Sequence, residues 1–164
     1  MDPTDVADLS RLRLPARSFP GRPFRCAPTV VFLDFDGPLH PMGAIQFFIN
    51  LDRFEALLRD TPDIQVVFST SWQLLTSFDH LRTVFSPDLR HRAEGGTAQL
   101  APAGFAARER LAGQWMEAFG KGRRWVSIDD DLEAFSPQSG RLLWCPEGYR
   151  EQEDEELRRW LVTA

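Results

Sequence analysis

The sequence predicts an α/β domain: a Rossmann-like parallel sheet as the middle of three layers, with helices on both faces. Three observations lead there. Short runs of β-branched and aromatic residues, TVVFL from Thr29, IQVVF from Ile64 and WVSI from Trp125, alternate with stretches at helical spacing; that order implies parallel strands joined by right-handed crossovers. Each run is apolar throughout, as expected of strands covered on both faces. The runs also stop in polar or acidic clusters, at Asp34 and Asp36, at residues 69–71 and at residues 129–131, and ligands of such sheets gather at the carboxyl ends of strands.

The elements follow in order. Residues 1–27 carry Pro3, Pro15, Pro20 and Pro23 among scattered arginines, which predicts an irregular arm and leaves residues 28–164 as a single domain. After the strand at Thr29, the spacing of Phe47, Phe48, Leu51, Phe54, Leu57 and Leu58 predicts a helix over residues 45–58, ended by the TPD turn. The second strand, residues 64–68, runs through STSW into a helix from about Gln73. Residues 86–104 turn to Pro, Gly and polar types and read as a loop at the edge or mouth of the sheet. Leu111, Ala112, Trp115, Met116 and Phe119 form a helical stripe that belongs to the core. WVSI is the third strand and LLW, residues 142–144, the fourth. A final helix over residues 154–162 buries Leu157, Trp160 and Leu161, with Asp154/Arg158 and Glu155/Arg159 at i,i+4 spacing.

Composition sets limits on function. At 164 residues, 43% hydrophobic and 26% charged, the chain has the size and make-up of one globular domain. A formal net charge of -5 offers little attraction for a nucleic-acid backbone, and the arginines between Arg82 and Arg124 read as solvated. Cys26 and Cys145 suggest free thiols, not a zinc site or a disulfide framework. No basic leader with an apolar core and no membrane-length apolar stretch is found, so the expectation is a soluble, cytoplasmic protein with no membrane partner and no obligate protein partner.

The chemistry sits at the strand ends. Asp34 and Asp36, one residue apart after the first strand, allow one carboxylate to face a bound group while the other approaches from the side. Aspartate and glycine are also common turn formers after strands, so this pair alone is modest. Asp34 with Asp129 and Asp130 on neighbouring strand ends would crowd negative charge, which is costly unless a hard cation such as Mg²⁺ sits among the oxygens. The hydroxyls of Ser69 and Thr70 could donate to a phosphate.

Three segments resemble motifs of the haloacid dehalogenase (HAD) superfamily: VVFLDFDGPL its first, VVFST its second and WVSIDDD its fourth. The resemblance spans residues 29–131, and the DGPLHP and STSW variants look like the compact HAD domains of bacterial RNA-repair proteins. It implies a Mg²⁺-dependent phosphatase acting on a phosphate monoester, with Asp34 as the nucleophile that forms an aspartyl-phosphate. Asp36 would be the general acid and base. Its backbone carbonyl, with the carboxylates of Asp34 and of Asp129 or Asp130, would hold the metal. Thr70, or Ser69 in its place, would bind a phosphoryl oxygen, and Gly37 joins them on the substrate side. The family's third motif supplies a lysine. Lys121, the chain's only lysine, lies just before the fourth-motif strand, so the expected basic group is Arg108, ahead of Arg110, at the start of the preceding helix. Pro38 would shape the turn, and His40 would be on the surface or behind the site.

The gap between Asp36 and Ile64 holds one helix, and residues 77–104 read as a helix and a loop. The enzyme therefore looks capless or nearly so, open to a large phosphorylated substrate such as a nucleic-acid end or a phosphoprotein. Net acidity opposes the first; Arg90 and Arg92, near the loop, favour it. Two other readings compete. A receiver-like signalling module is disfavoured because DxDG already lies on the first core strand and the middle strand ends in STSW. A degenerate HAD fold used as a scaffold is suggested by the missing lysine and opposed by the presence of both Asp34 and Asp36.

Overall fold

The strand TVVFL forms as β1 (Thr29–Leu33) and lies at the centre of the sheet. The computed structural model describes residues 29–98 and 104–163, so the proline-rich arm and Cys26 lie outside the described residues. With β2 (Ile64–Phe68), β3 (Ala93–Gly96), β4 (Arg124–Asp129) and β5 (Leu142–Trp144), β1 builds a five-stranded sheet of order β3-β2-β1-β4-β5. Every pairing is parallel. Leu33 sits beside Phe68 on one side and Ile128 on the other. The residues that follow, Asp34, Ser69 and Asp129, therefore leave the sheet side by side.

The alternation of β1 divides the core into two layers. Val31 and Leu33 face a large cluster with Val66 and Phe68, Leu57 and Leu58 of α1 (Leu51–Asp60), and Leu157 of α4 (Glu151–Val162). Val30 and Phe32 face a smaller one with Val67, Trp125, and Ala112 and Trp115 of the opposite helix. There the Phe32 ring meets Trp115 and Trp125 edge-on, at 5.7 and 5.4 Å between centroids. Edge-to-face pairs of this kind add to simple area burial. Three layers with helices on both faces are thus present, as the sequence implies.

Several elements differ in extent. The helix expected over residues 45–58 starts only at Leu51, because Phe48 takes a left-handed backbone (φ 58°) that a helix cannot contain. Phe48 packs its ring on Phe35 and Trp72 instead, while Ile45, Phe47 and Ile49 stay exposed. The helix expected from Gln73 is split into a 3₁₀ turn, Ser71–Leu74, and the short α2 (Phe78–Leu81), whose N-cap Ser77 accepts from His80 N at 3.3 Å. The presumed loop of residues 86–104 contains the edge strand β3. Its glycines carry no β signal; at Gly96 a Cβ would lie 2.0 Å from Gln73 Oε1, so any side chain there would displace the Gln73 amide. The stripe from Leu111 to Phe119 forms α3 (Ala107–Trp115), extended by a π turn, Met116–Gly120.

The arginines are not all solvated. Arg92 is 5% exposed, and its N–H groups donate to the carbonyls of Leu58, Thr61 and Ile64 at 2.8, 2.6 and 2.7 Å. These include carbonyls at the C-terminal end of α1, which have no partner inside the helix. Arg123 pairs with Glu94 at 2.7 Å, and Arg124 lies 4.1 Å over the Trp160 ring. No described helix is long and apolar enough to cross a membrane.

Replacing Arg92 by Met keeps the aliphatic stem and strips the donors from the Leu58, Thr61 and Ile64 carbonyls. The expected loss is roughly 1–3 kcal/mol, read as a lower urea midpoint at unchanged slope. A wild-type midpoint would show that these bonds do not hold the α1–β2 junction.

Candidate active site

The strand-end residues converge on one guanidinium. Arg108, in the first turn of α3, brings Nη1 to 2.8 Å from Asp34 Oδ2, 2.9 Å from Asp129 Oδ2 and 2.6 Å from the Ser69 carbonyl. The ends of β1, β4 and β2 are thereby joined at one point. Asp34 is 3% exposed and Asp129 1%, so neither carboxylate relies on bulk water. The other oxygen of each is bonded within its own loop: Asp34 Oδ1 accepts from Phe35 N at 2.8 Å, and Asp129 Oδ1 from Asp131 N at 2.9 Å. The Thr70 hydroxyl favours the charged form of Asp34 and accepts from Trp72 N at 3.4 Å as the cap of the Ser71–Leu74 turn.

Burial governs the electrostatics. Asp34 is pushed well above the usual carboxylate range, first by desolvation and then by the neighbouring Asp129; Arg108 pulls it down, helped by Phe35 N and Thr70. Asp129 is raised for the same first reason and lowered mainly by Arg108. Burial disfavours the Arg108 charge too, but the two carboxylates outweigh it and hold the guanidinium protonated.

Asp130 completes an acidic group. One carboxylate oxygen from each of Asp34, Asp129 and Asp130 lies within 4.8 Å of the others. Gly37 makes the room: its φ is 90°, and a Cβ there would stand 2.3 Å from Asp130 Cγ. The Gly37 N–H is bonded to His40 O at 2.8 Å, so Gly37 reaches the site through its missing side chain. Pro38 does shape the turn. Its carbonyl accepts from Asn50 Nδ2 at 3.0 Å and Tyr149 N at 2.8 Å, tying the loop to α1 and the approach to α4. Asp131 points elsewhere, capping the turn Leu132–Ala134.

Asp36 stands apart from this group. Its Oδ1 lies 3.0 Å from His40 Nε2, and its Oδ2 accepts from Trp72 Nε1 at 3.0 Å. His40 is buried at 2% exposure, behind the site and not on the surface. Trp72 is not singled out by the sequence; its place in the STSW segment after the second strand is the signal that could have found it. Of the other basic candidates, Arg110 is exposed and its Nη1 bonds the Phe105 carbonyl. Lys121 caps the π turn ahead of β4, at the opposite end of the strands from Asp129.

Three carboxylates against one guanidinium leave an excess of negative charge and a set of hard oxygen donors, the chemistry that suits a small divalent cation. Because the folded carboxylates titrate above their unfolded values, their contribution to stability is complete in acid and is lost as pH rises through the folded values. Without a divalent cation, stability attributable to Asp34 and Asp129 should therefore fall from about pH 4, near the ordinary carboxylate value, to about pH 7, where Asp34 titrates in the folded protein. Mg²⁺ should raise Tm more at the higher pH, and Asp34→Asn should flatten both trends. An equal Mg²⁺ effect at the two pH values would count against a cation among these carboxylates.

A scan against protein-family models matches residues 30–161 to the HAD domain in Swiss Army Knife RNA repair proteins. No curated protein and no solved structure matches the chain. With the family model spanning every strand end of the site, the chain belongs to this family of capless HAD domains.

Proposed function

We propose that the protein is a Mg²⁺-dependent phosphatase that hydrolyses a phosphate monoester through an aspartyl-phosphate on Asp34. The observation that carries this reading is the convergence on Arg108, which places a permanent positive charge against a buried aspartate at a strand end. Burial alone would keep the Asp34 carboxyl protonated and a poor nucleophile; the Arg108 guanidinium pulls its titration back down and fixes its direction, and a bound cation would pull it down further. Asp34, Asp129 and Asp130, with the backbone carbonyl of Asp36, would hold the metal, which supplies charge neutralisation for the phosphoryl oxygens.

The remaining steps belong to the chain's own groups. Asp34 attacks phosphorus as the ester P–O bond breaks, and Asp36 gives a proton to the departing oxygen. Water then attacks the aspartyl-phosphate; Asp36 takes its proton, and inorganic phosphate leaves with Asp34 restored. Thr70 positions a phosphoryl oxygen, with the Ser69 hydroxyl beside it. Arg108 balances the charge that the family usually assigns to a lysine. In phosphoryl transfer, positioning and charge neutralisation supply most of the acceleration.

The substrate class is a phosphorylated nucleic-acid end. The description of the matched family names RNA repair, and among the described residues no folded lid covers the strand ends. Exposed apolar side chains follow both strand ends: Met42, Ile45 and Phe47 between β1 and α1, and Leu74 and Leu75 after β2. Arg90 and Arg92 lend no support, since Arg90 bonds the Phe85 carbonyl and Arg92 lies in the core.

The test is phosphate release from an aryl phosphate and from 3′- and 5′-phosphorylated oligonucleotides, with Mg²⁺ or EDTA. Turnover should need Mg²⁺, favour one oligonucleotide end, and fall at least about a thousandfold in Asp34→Asn. No turnover on any substrate would replace this reading with a binding scaffold.

A further inference from the structure

Asp36 is one-third exposed, at 32% of its side-chain surface, and an aspartate with that freedom would ordinarily sample several rotamers. Here both carboxylate oxygens are occupied, and by donors from different loops: His40 from the turn after β1, and Trp72 from the turn after β2. The arrangement fixes the direction of the carboxylate. It keeps the Asp36 carboxylate out of the group formed by Asp34, Asp129 and Asp130.

The surroundings of the two donors are built to the same end. The His40 ring is held edge-on by Phe47 and Phe48, each 5.1 Å between centroids, and by Trp72 at 5.8 Å. Trp72 is in turn wedged against Phe35, Phe47 and Phe48 at 5.8, 5.9 and 5.4 Å. Two costs come with this cluster. Phe48 occupies a left-handed backbone region that bulky residues avoid, and His40 Nδ1 is buried with no hydrogen-bond partner. A phenylalanine at position 40 would fill the same space without an orphaned nitrogen. The histidine is explained by its one polar contact, which is Asp36.

We infer that His40 and Trp72 are positioning residues that hold the Asp36 carboxylate toward the leaving-group oxygen of the substrate. This rests on the phosphatase reading given above. It accounts for the DGPLH and STSW segments together, because each supplies one arm of the clamp.

A leaving-group comparison tests it. An alkyl phosphate needs its departing oxygen protonated, whereas 4-nitrophenyl phosphate releases a stabilised phenolate and does not. The readout is the single-turnover rate of alcohol or phenol release by the full chain with Mg²⁺, which isolates the step before water attack. Trp72→Phe and His40→Phe keep a ring in the cluster and remove one donor. Each should slow alkyl release about a hundredfold and aryl release far less, with KM little changed. His40→Gln, which returns an N–H near the Nε2 position, should recover most of the alkyl rate. Tm and near-UV circular dichroism identify variants that fold; should Trp72→Phe not fold, the two His40 variants decide. Equal losses on both esters, or no recovery in His40→Gln, would show that the pair only supports the fold. A wild type that releases neither alcohol nor phenol would overturn the phosphatase reading, and the positioning role with it.

Discussion

The Arg108 guanidinium is the contact on which the site depends. Three strand ends place their polar groups at one spot: the Asp34 and Asp129 carboxylates and the Ser69 carbonyl all face Nη1 within 2.9 Å. Two buried carboxylates so placed repel each other, and desolvation adds to the cost of each charge. One guanidinium between them reverses the sign of the local interaction. Nη1 carries only two hydrogens yet meets three oxygens, so the acceptors are under-supplied. The acidic group keeps spare capacity for further positive charge, which is why a donor set that looks already paired still suits a cation.

That contact works only because the backbone holds its partners rigidly. Side-by-side register of β1 with β2 and β4 delivers Asp34, Ser69 and Asp129 at one level, with no loop search needed. The motif-bearing loop after β1 is then fixed at Pro38, whose carbonyl takes two donors from distant parts of the chain. Even small clearances are used: Gly37 admits Asp130, and Gly148 admits Asn50, whose Nδ2 would lie 2.4 Å from a Cβ there. A site on sheet ends, with its neighbours locked in this way, can hold charges close together without collapsing.

The sequence shows its central elements more clearly than its margins, for physical reasons. β1, β2 and β4 are legible because burial on both faces demands unbroken apolar runs. β3 is not, because AEGG is a short edge strand without an apolar run or β-branched residues. Residues 45–50 mislead because Phe47 and Phe48 have helical spacing but are used in an aromatic cluster around His40. Arg108 is anticipated through the family resemblance, whose third motif opens the preceding helix, and not from any local pattern. The bond from Trp72 to Asp36 spans 36 residues and needs the β1–β2 pairing to exist at all; no local pattern encodes it.

Asp34 and Asp36 show how far two like residues can be driven apart within one loop. The first is 3% exposed, tied to a permanent charge, and part of the acidic group; the second is 32% exposed and tied to two ring N–H groups. Neighbouring carboxylates in contrasting environments are suited to different chemical work, which is what the proposed roles of Asp34 and Asp36 require. The chain reaches this contrast with few means. A tight turn at Gly37 and Pro38 sends His40 back under Asp36, and the apolar residues that would have prolonged a helix wall off the histidine instead. The departure from helical order at residues 45–50 therefore helps to fix the histidine that holds Asp36 apart from Asp34.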